Sequence, residues 1–89
     1  MVLSSSEILI LGACVRPCVA IAAAAGYQVT AIDLFNDADT QAASNASIKA
    51  DHYPEDLFGH AESSKANYWL YTGCLENYPE QIAQLANKK

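Results

Sequence analysis

The chain has 89 residues and a mass of 9.6 kDa, room for one compact domain and not for two. Sixteen of its apolar residues are alanine, so the larger side chains suffice for a modest core and no deep cavity. Five basic against ten acidic residues give a net charge of −5, which argues against binding nucleic acid through its phosphates.

No apolar run approaches the ~20 residues that span a bilayer, so no membrane partner is expected. The opening MVLSSSEILILG has no basic residue ahead of its apolar run, unlike a cleaved signal peptide, and the chain reads as cytoplasmic. Cys14, Cys18 and Cys74 are too few, and odd in number, for a secreted disulfide framework. The spacing of Cys14 and Cys18 is not that of a zinc knuckle, and His52 and His60 complete no ligand set. The sequence therefore predicts reduced thiols and no metal site.

Residues 1–6 form a short Ser-rich lead, and a single domain is expected over 7–89. Ile8-Leu9-Ile10-Leu11 is a continuous apolar run of the kind shown by a strand buried on both faces, stopped by Gly12. Pro17 fits a first helical turn, Cys18–Ala25 is alanine-rich, and Gly26 is a C-terminal stop. Tyr27–Ile32 reads as a second strand ending at Asp33. Strand, helix and strand make a βαβ unit with parallel strands and a right-handed crossover.

Asp37-Ala38-Asp39 caps and starts a short helix running to Ala43, and Ala46–His52 reads as a short polar strand. From Pro54 to about Ser63 a loop with a helical turn or two is expected. Tyr68–Thr72 is a strand closed by Gly73, and Pro79 opens an amphipathic helix with Ile82, Leu85 and Ala86 on one face. The fold class is α/β: a small three-layer Rossmann-like domain, a parallel sheet of about four strands with helices on both faces. The default strand order for this architecture is 2-1-3-4.

In open parallel sheets, ligands meet the loops after the carboxyl ends of the strands. Gly12-Ala13-Cys14-Val15-Arg16-Pro17 occupies the place of a phosphate-binding turn, but only the first glycine of the dinucleotide fingerprint is present. Its N–H groups and Arg16 can receive an anion; alternatively, Gly12 permits a tight turn and Arg16 pairs with an acidic neighbour. Asp33 lies 21 residues after Gly12, the offset of a ribose acceptor, and is equally a turn or capping aspartate. Cys14 is a reactive thiol or a structural one. Glu76 and Asn77 can grip a polar ligand or another domain, while Asn77 also suits the cap of the last helix.

Three segments carry a resemblance: Gly12-Ala13-Cys14-Val15-Arg16, then Gly26-Tyr27 through Asp33, Phe35 and Asp37, then Tyr71-Thr72-Gly73-Cys74-Leu75-Glu76-Asn77 with Pro79. They resemble the GASVR-like loop, the GY-x-V-x-A-x-D-x-F-x-D strand and turn, and the YTGGLEN-P segment of the N-terminal Rossmann-like pre-ATP-grasp domain of predicted ATP-grasp superfamily proteins. Cys14 and Cys74 stand where that pattern has Ser and Gly. The resemblance implies a substrate-side module of a carboxylate-amine or carboxylate-thiol ligase, with no catalytic residue of its own. ATP and Mg²⁺ are implied for the parent protein only, held by downstream ATP-grasp domains that would be this chain's partners.

The ligand-binding residues expected on these grounds are Gly12, Cys14, Arg16, Asp33, Asp37, Gly73, Glu76 and Asn77, facing a small-molecule or anionic ligand. Two other readings compete: a stand-alone nucleotide or dinucleotide-binding regulatory module, and a small protein-docking domain. Weak self-association is expected through an exposed apolar face including Trp69 or Tyr78.

Overall fold

The computed structural model describes residues 7–64, 66 and 68–88, with Cys74 described by its backbone alone. The Ser-rich lead and Lys89 lie outside the described residues. Strands β1 (Glu7–Leu11), β2 (Gln28–Asp33), β3 (Ala46–Lys49) and β4 (Tyr68–Tyr71) alternate with helices α1 (Arg16–Ala24), α2 (Ala38–Ala43) and α3 (Glu55–Ser63). A 3₁₀ turn, Gly73–Asn77, leads to the last helix, α4 (Pro79–Lys88). No described helix is long and apolar enough to cross a membrane.

All three strand pairings are parallel, and the order is β3-β2-β1-β4. The default order 2-1-3-4 is thus corrected. The third strand pairs beside the second, and the fourth crosses back to the free side of β1. The chain reverses its direction of travel across the sheet between β1 and β4, the switch point at which open α/β sheets bind ligands.

The unbroken apolar run of β1 is explained by its central position. Leu9, Ile10 and Leu11 are fully buried because helices cover both faces. On one face, Leu9, Leu11 and Ile32 pack with Leu57, Phe58 and Ala61 of α3, with Leu75 and with Leu85 of α4. On the other, Ile10, Val29 and Ala31 pack with Val15 and with Val19 of α1. The result is the three-layer α/β/α architecture expected.

Local corrections follow from packing. Helix α1 begins at Arg16 rather than Cys18 and ends at Ala24, with Gly26 at φ 95° making the left-handed turn into β2. Strand β3 ends at Lys49 rather than His52, and Asn45 lengthens its ladder. The Asn45 N–H donates to the Val29 carbonyl at 2.8 Å, and its Oδ1 accepts the Val29 N–H at 2.8 Å.

The segment expected to be a loop with a turn or two is the nine-residue helix α3. Glu55 and Asp56 in its first turn and His60 in its last complement the helix dipole. Asp56 Oδ2 also accepts the N–H groups of Asp51 and His52, tying down the preceding turn. Burial of Leu57, Phe58 and Ala61 against the sheet stabilises the rest despite Gly59.

The exposed apolar surface differs from that expected. Trp69 and Tyr78 are half-buried against the α3/α4 core, and Tyr78 meets Tyr53 edge-on at 5.8 Å. Among the described residues, the large apolar side chains open to solvent are Ile21, Tyr27, Phe35, Tyr68 and Tyr71.

Candidate functional site at the ends of β1 and β4

The β1–α1 loop is positioned by backbone hydrogen bonds to β2 and its turn. Gly12 N–H donates to the Ile32 carbonyl at 3.1 Å, and Leu34 N–H to the Ala13 carbonyl at 3.2 Å. From the other side comes the end of β4. Thr72 N–H donates to the Leu11 carbonyl at 3.0 Å, and Thr72 Oγ1 to the Cys14 carbonyl at 3.4 Å. A Cβ on Gly12 would collide with Thr72 Oγ1. Glycine at this position is a requirement of the β1–β4 approach.

Asp33, at the end of β2, is buried. Its Oδ2 accepts the Val15 N–H at 3.3 Å and its Oδ1 the Asn36 N–H at 2.7 Å. Each oxygen thus accepts a backbone donor, which makes Asp33 a fastener between the β1–α1 loop and the turn after β2. Asn36 adopts φ 47° in that turn, a left-handed conformation that Asn tolerates well.

Asp37 caps α2, its Oδ1 accepting the Thr40 N–H at 2.9 Å. That N–H above all, then the Thr40 side chain and behind it the guanidinium of Arg16, hold the Asp37 carboxyl below the usual carboxylate range. Arg16 Nη1 stands 3.8 Å from Asp37 Oδ2, the Arg16 side chain being exposed and that of Asp37 partly so. The pairing is long and solvent-screened, so it leaves the guanidinium fork able to exchange Asp37 for a ligand carboxylate.

Cys14 is exposed and free, on the same loop, while the free thiol of Cys18 on α1 is half-buried. After β4, Gly73 takes φ 66° and starts the 3₁₀ turn. This turn sends Leu75 into the core and leaves Glu76 and Asn77 exposed. Asn77 is not the cap of α4, because the Tyr78 carbonyl accepts the first helical N–H, from Ile82 at 3.1 Å. Among the described residues no hydrogen bond or ion pair joins Glu76 or Asn77 to Arg16 or Asp37.

The structure thus joins Gly12, Cys14, Arg16, Asp33 and Asp37 in one bonded loop cluster, and sets Gly73, Glu76 and Asn77 at the adjoining strand end. Sequence reasoning did not count Thr72 among the ligand-binding residues, although it lies in the Tyr71–Asn77 segment that carries the resemblance. It also left out Asn36, and it named Phe35 only as part of the resemblance and not as a ligand-binding residue. Phe35 is 64% exposed in the turn after β2, beside polar neighbours.

Among the described residues no group of three His, Cys, Asp or Glu side chains could hold a metal ion. The turn that would meet a nucleotide phosphate has its Val15 N–H bonded to the Asp33 carboxylate, an anion already in place. That N–H is therefore not free to meet a phosphate. The site instead offers one fork-shaped cation, exposed carboxylates, an amide and an apolar ring. Comparison with protein-family models, with curated proteins and with solved structures found no match.

Proposed function

We propose that the chain is a non-catalytic, substrate-side Rossmann-like domain of an ATP-grasp-type ligase, whose β1 and β4 loops help form a substrate or interdomain site. The observation that supports this reading is the convergence of three separated segments at one end of the sheet. Gly12–Arg16, Asp33–Asp37 and Thr72–Asn77 meet there through the Gly12–Thr72 contact, the Asp33–Val15 hydrogen bond and the Arg16–Asp37 pair. The segments that carry the family resemblance are those that do so.

The chemistry of the cluster favours the substrate side over the nucleotide side. Asp33 occupies the N–H that a phosphate would need, whereas Arg16 is exposed and shaped for a carboxylate. Phe35 and Tyr71, both exposed, add apolar surface at the same end of the sheet and suit contact with a neighbouring domain.

Backbone amide resonances provide the test. Millimolar Mg-ATP, NAD or adenosine should leave Ala13–Arg16 and Gly73–Asn77 unmoved, and an ATP-grasp catalytic core added as a separate chain should shift them. A micromolar response to a dinucleotide would replace this reading with a nucleotide-binding regulatory module. Incubation with Mg-ATP, a carboxylate and an amine should release no ADP, and release by the chain alone would overturn the non-catalytic assignment.

A further inference from the structure

We propose that β4 pairs antiparallel with β4 of a second copy of this chain, forming a two-fold dimer with an eight-stranded sheet. Strand β4 is the last in the order β3-β2-β1-β4, so among the described strands only β1 lies beside it. Thr72 N–H points at β1, donating to Leu11. Because strand residues alternate, Leu70 also turns its backbone to β1, and the N–H and C=O groups of Trp69 and Tyr71 face outward.

Exposed sheet edges are commonly guarded by a charge or a proline. The opposite edge, β3, ends on Lys49. Strand β4 reads Tyr-Trp-Leu-Tyr and has neither guard. Tyr68 is 63% exposed and Tyr71 40%, so two aromatic rings of this edge stand in water.

The edge is complementary to itself. A two-fold axis through Leu70 sets Trp69 opposite the partner's Tyr71, and Tyr71 opposite the partner's Trp69. Each of these pairs exchanges two N–H···O=C bonds, so the four outward donors and acceptors on each copy are all satisfied. Trp69 and Tyr71 already lie together on the α3/α4 face, ring centroids 6.3 Å apart, and the pairing extends them into a four-ring row. Cross-strand aromatic pairs of this kind stabilise sheets. On the other face, the two Leu70 side chains meet and Tyr68 lies opposite the partner's Thr72.

The two-fold match of the strand to itself selects the second copy as occupant, and charge permits it. Two chains of net charge −5 repel through most of their surfaces, but residues 68–73 carry no charge, so this contact joins neutral strips. A basic or acidic peptide would find no counter-charge along the strand.

Sedimentation from about 10 µM to 1 mM, with amide hydrogen exchange at both ends of that range, tests the proposal. Association should rise with concentration and tighten with added salt. Trp69 and Tyr71 amides should slow by 10-fold or more on association, while Leu70 stays protected throughout. Tyr71→Lys, which leaves the β1 pairing intact, should weaken association at least 10-fold with the circular dichroism of the monomer unchanged. A chain that is monomeric at 1 mM, or a dimer in which the Trp69 and Tyr71 amides exchange as fast as in the monomer, would overturn the proposal. The exchange measurement uses the unaltered chain, so it decides the matter even if the lysine variant misfolds.

Discussion

Gly12 at the end of β1 and Thr72 at the end of β4 approach so closely that a Cβ on Gly12 would strike Thr72 Oγ1 and lie 3.1 Å from the Thr72 carbonyl oxygen. This contact fixes the spacing of the two loops that flank the switch point, so Gly12→Ala should act on fold and site together. Overpacking of this kind costs about 1–3 kcal/mol. Urea unfolding should show that loss, with part of it recovered in the Gly12→Ala/Thr72→Ala double variant, where the carbonyl and Cβ contacts of residue 72, at 3.1 and 3.3 Å, remain. Equal stability of Gly12→Ala and the parent chain would show that β4 moves aside freely.

Asp33→Ala removes the acceptor of two backbone N–H groups, those of Val15 and Asn36. Leaving a buried donor without a partner costs about 1–3 kcal/mol. The variant should unfold at lower urea concentration, and the Val15 amide should lose its exchange protection before the rest of β1 does. If instead Asp33 serves a ligand, the variant would keep its stability and the Val15 amide its protection.

Two carboxylates predict the acid limb of stability. Asp37 is held low by the Thr40 N–H and, after it, by the Thr40 side chain and Arg16; Asp56 is held low by the His52 N–H and then by that of Asp51. A folded-state value depressed below the unfolded one contributes stability that is present above the unfolded pKa, about 3.9, and is lost as pH falls through the folded value. The thermal midpoint should therefore decline below about pH 4. Asp37→Asn and Asp56→Asn should each start lower at pH 7 and decline less steeply; a slope unchanged in both would remove these groups as the cause. The Arg16–Asp37 pair is open to solvent, so salt should blunt the Coulombic part contributed by Arg16.

Thiol alkylation under native conditions separates two cysteines by accessibility alone. Cys14 is exposed on the loop after β1, whereas Cys18 packs partly against the α1-side core. Peptide mapping after brief iodoacetamide treatment should find Cys14 modified well before Cys18. The reverse order would mean that the loop closes over Cys14 in solution.

Much of the architecture was legible in local pattern. The run Ile8–Leu11 announced a strand covered on both faces, and Pro17 and Gly26 bounded a helix. Asp37 announced its capping role, and Pro79 the start of α4. These features depend on neighbours within a turn or two, so residue order is enough to express them. Helix α3 was less legible because its stability comes from Leu57, Phe58 and Ala61 meeting a sheet whose strands lie far away in sequence.

By itself, the sequence determined an acidic α/β chain with parallel strands and polar loops after each of them. Only the tertiary structure decided that β4 lies against β1, that Asp33 holds Val15 and Asn36, and that Thr72 belongs to the site. Each of these is a pairing between residues 3 to 60 positions apart. Alternation and propensity assign a residue to a strand or a face, but they carry no information on which strand will be its neighbour. Strand order, and with it the site, follows from how the covered faces pack.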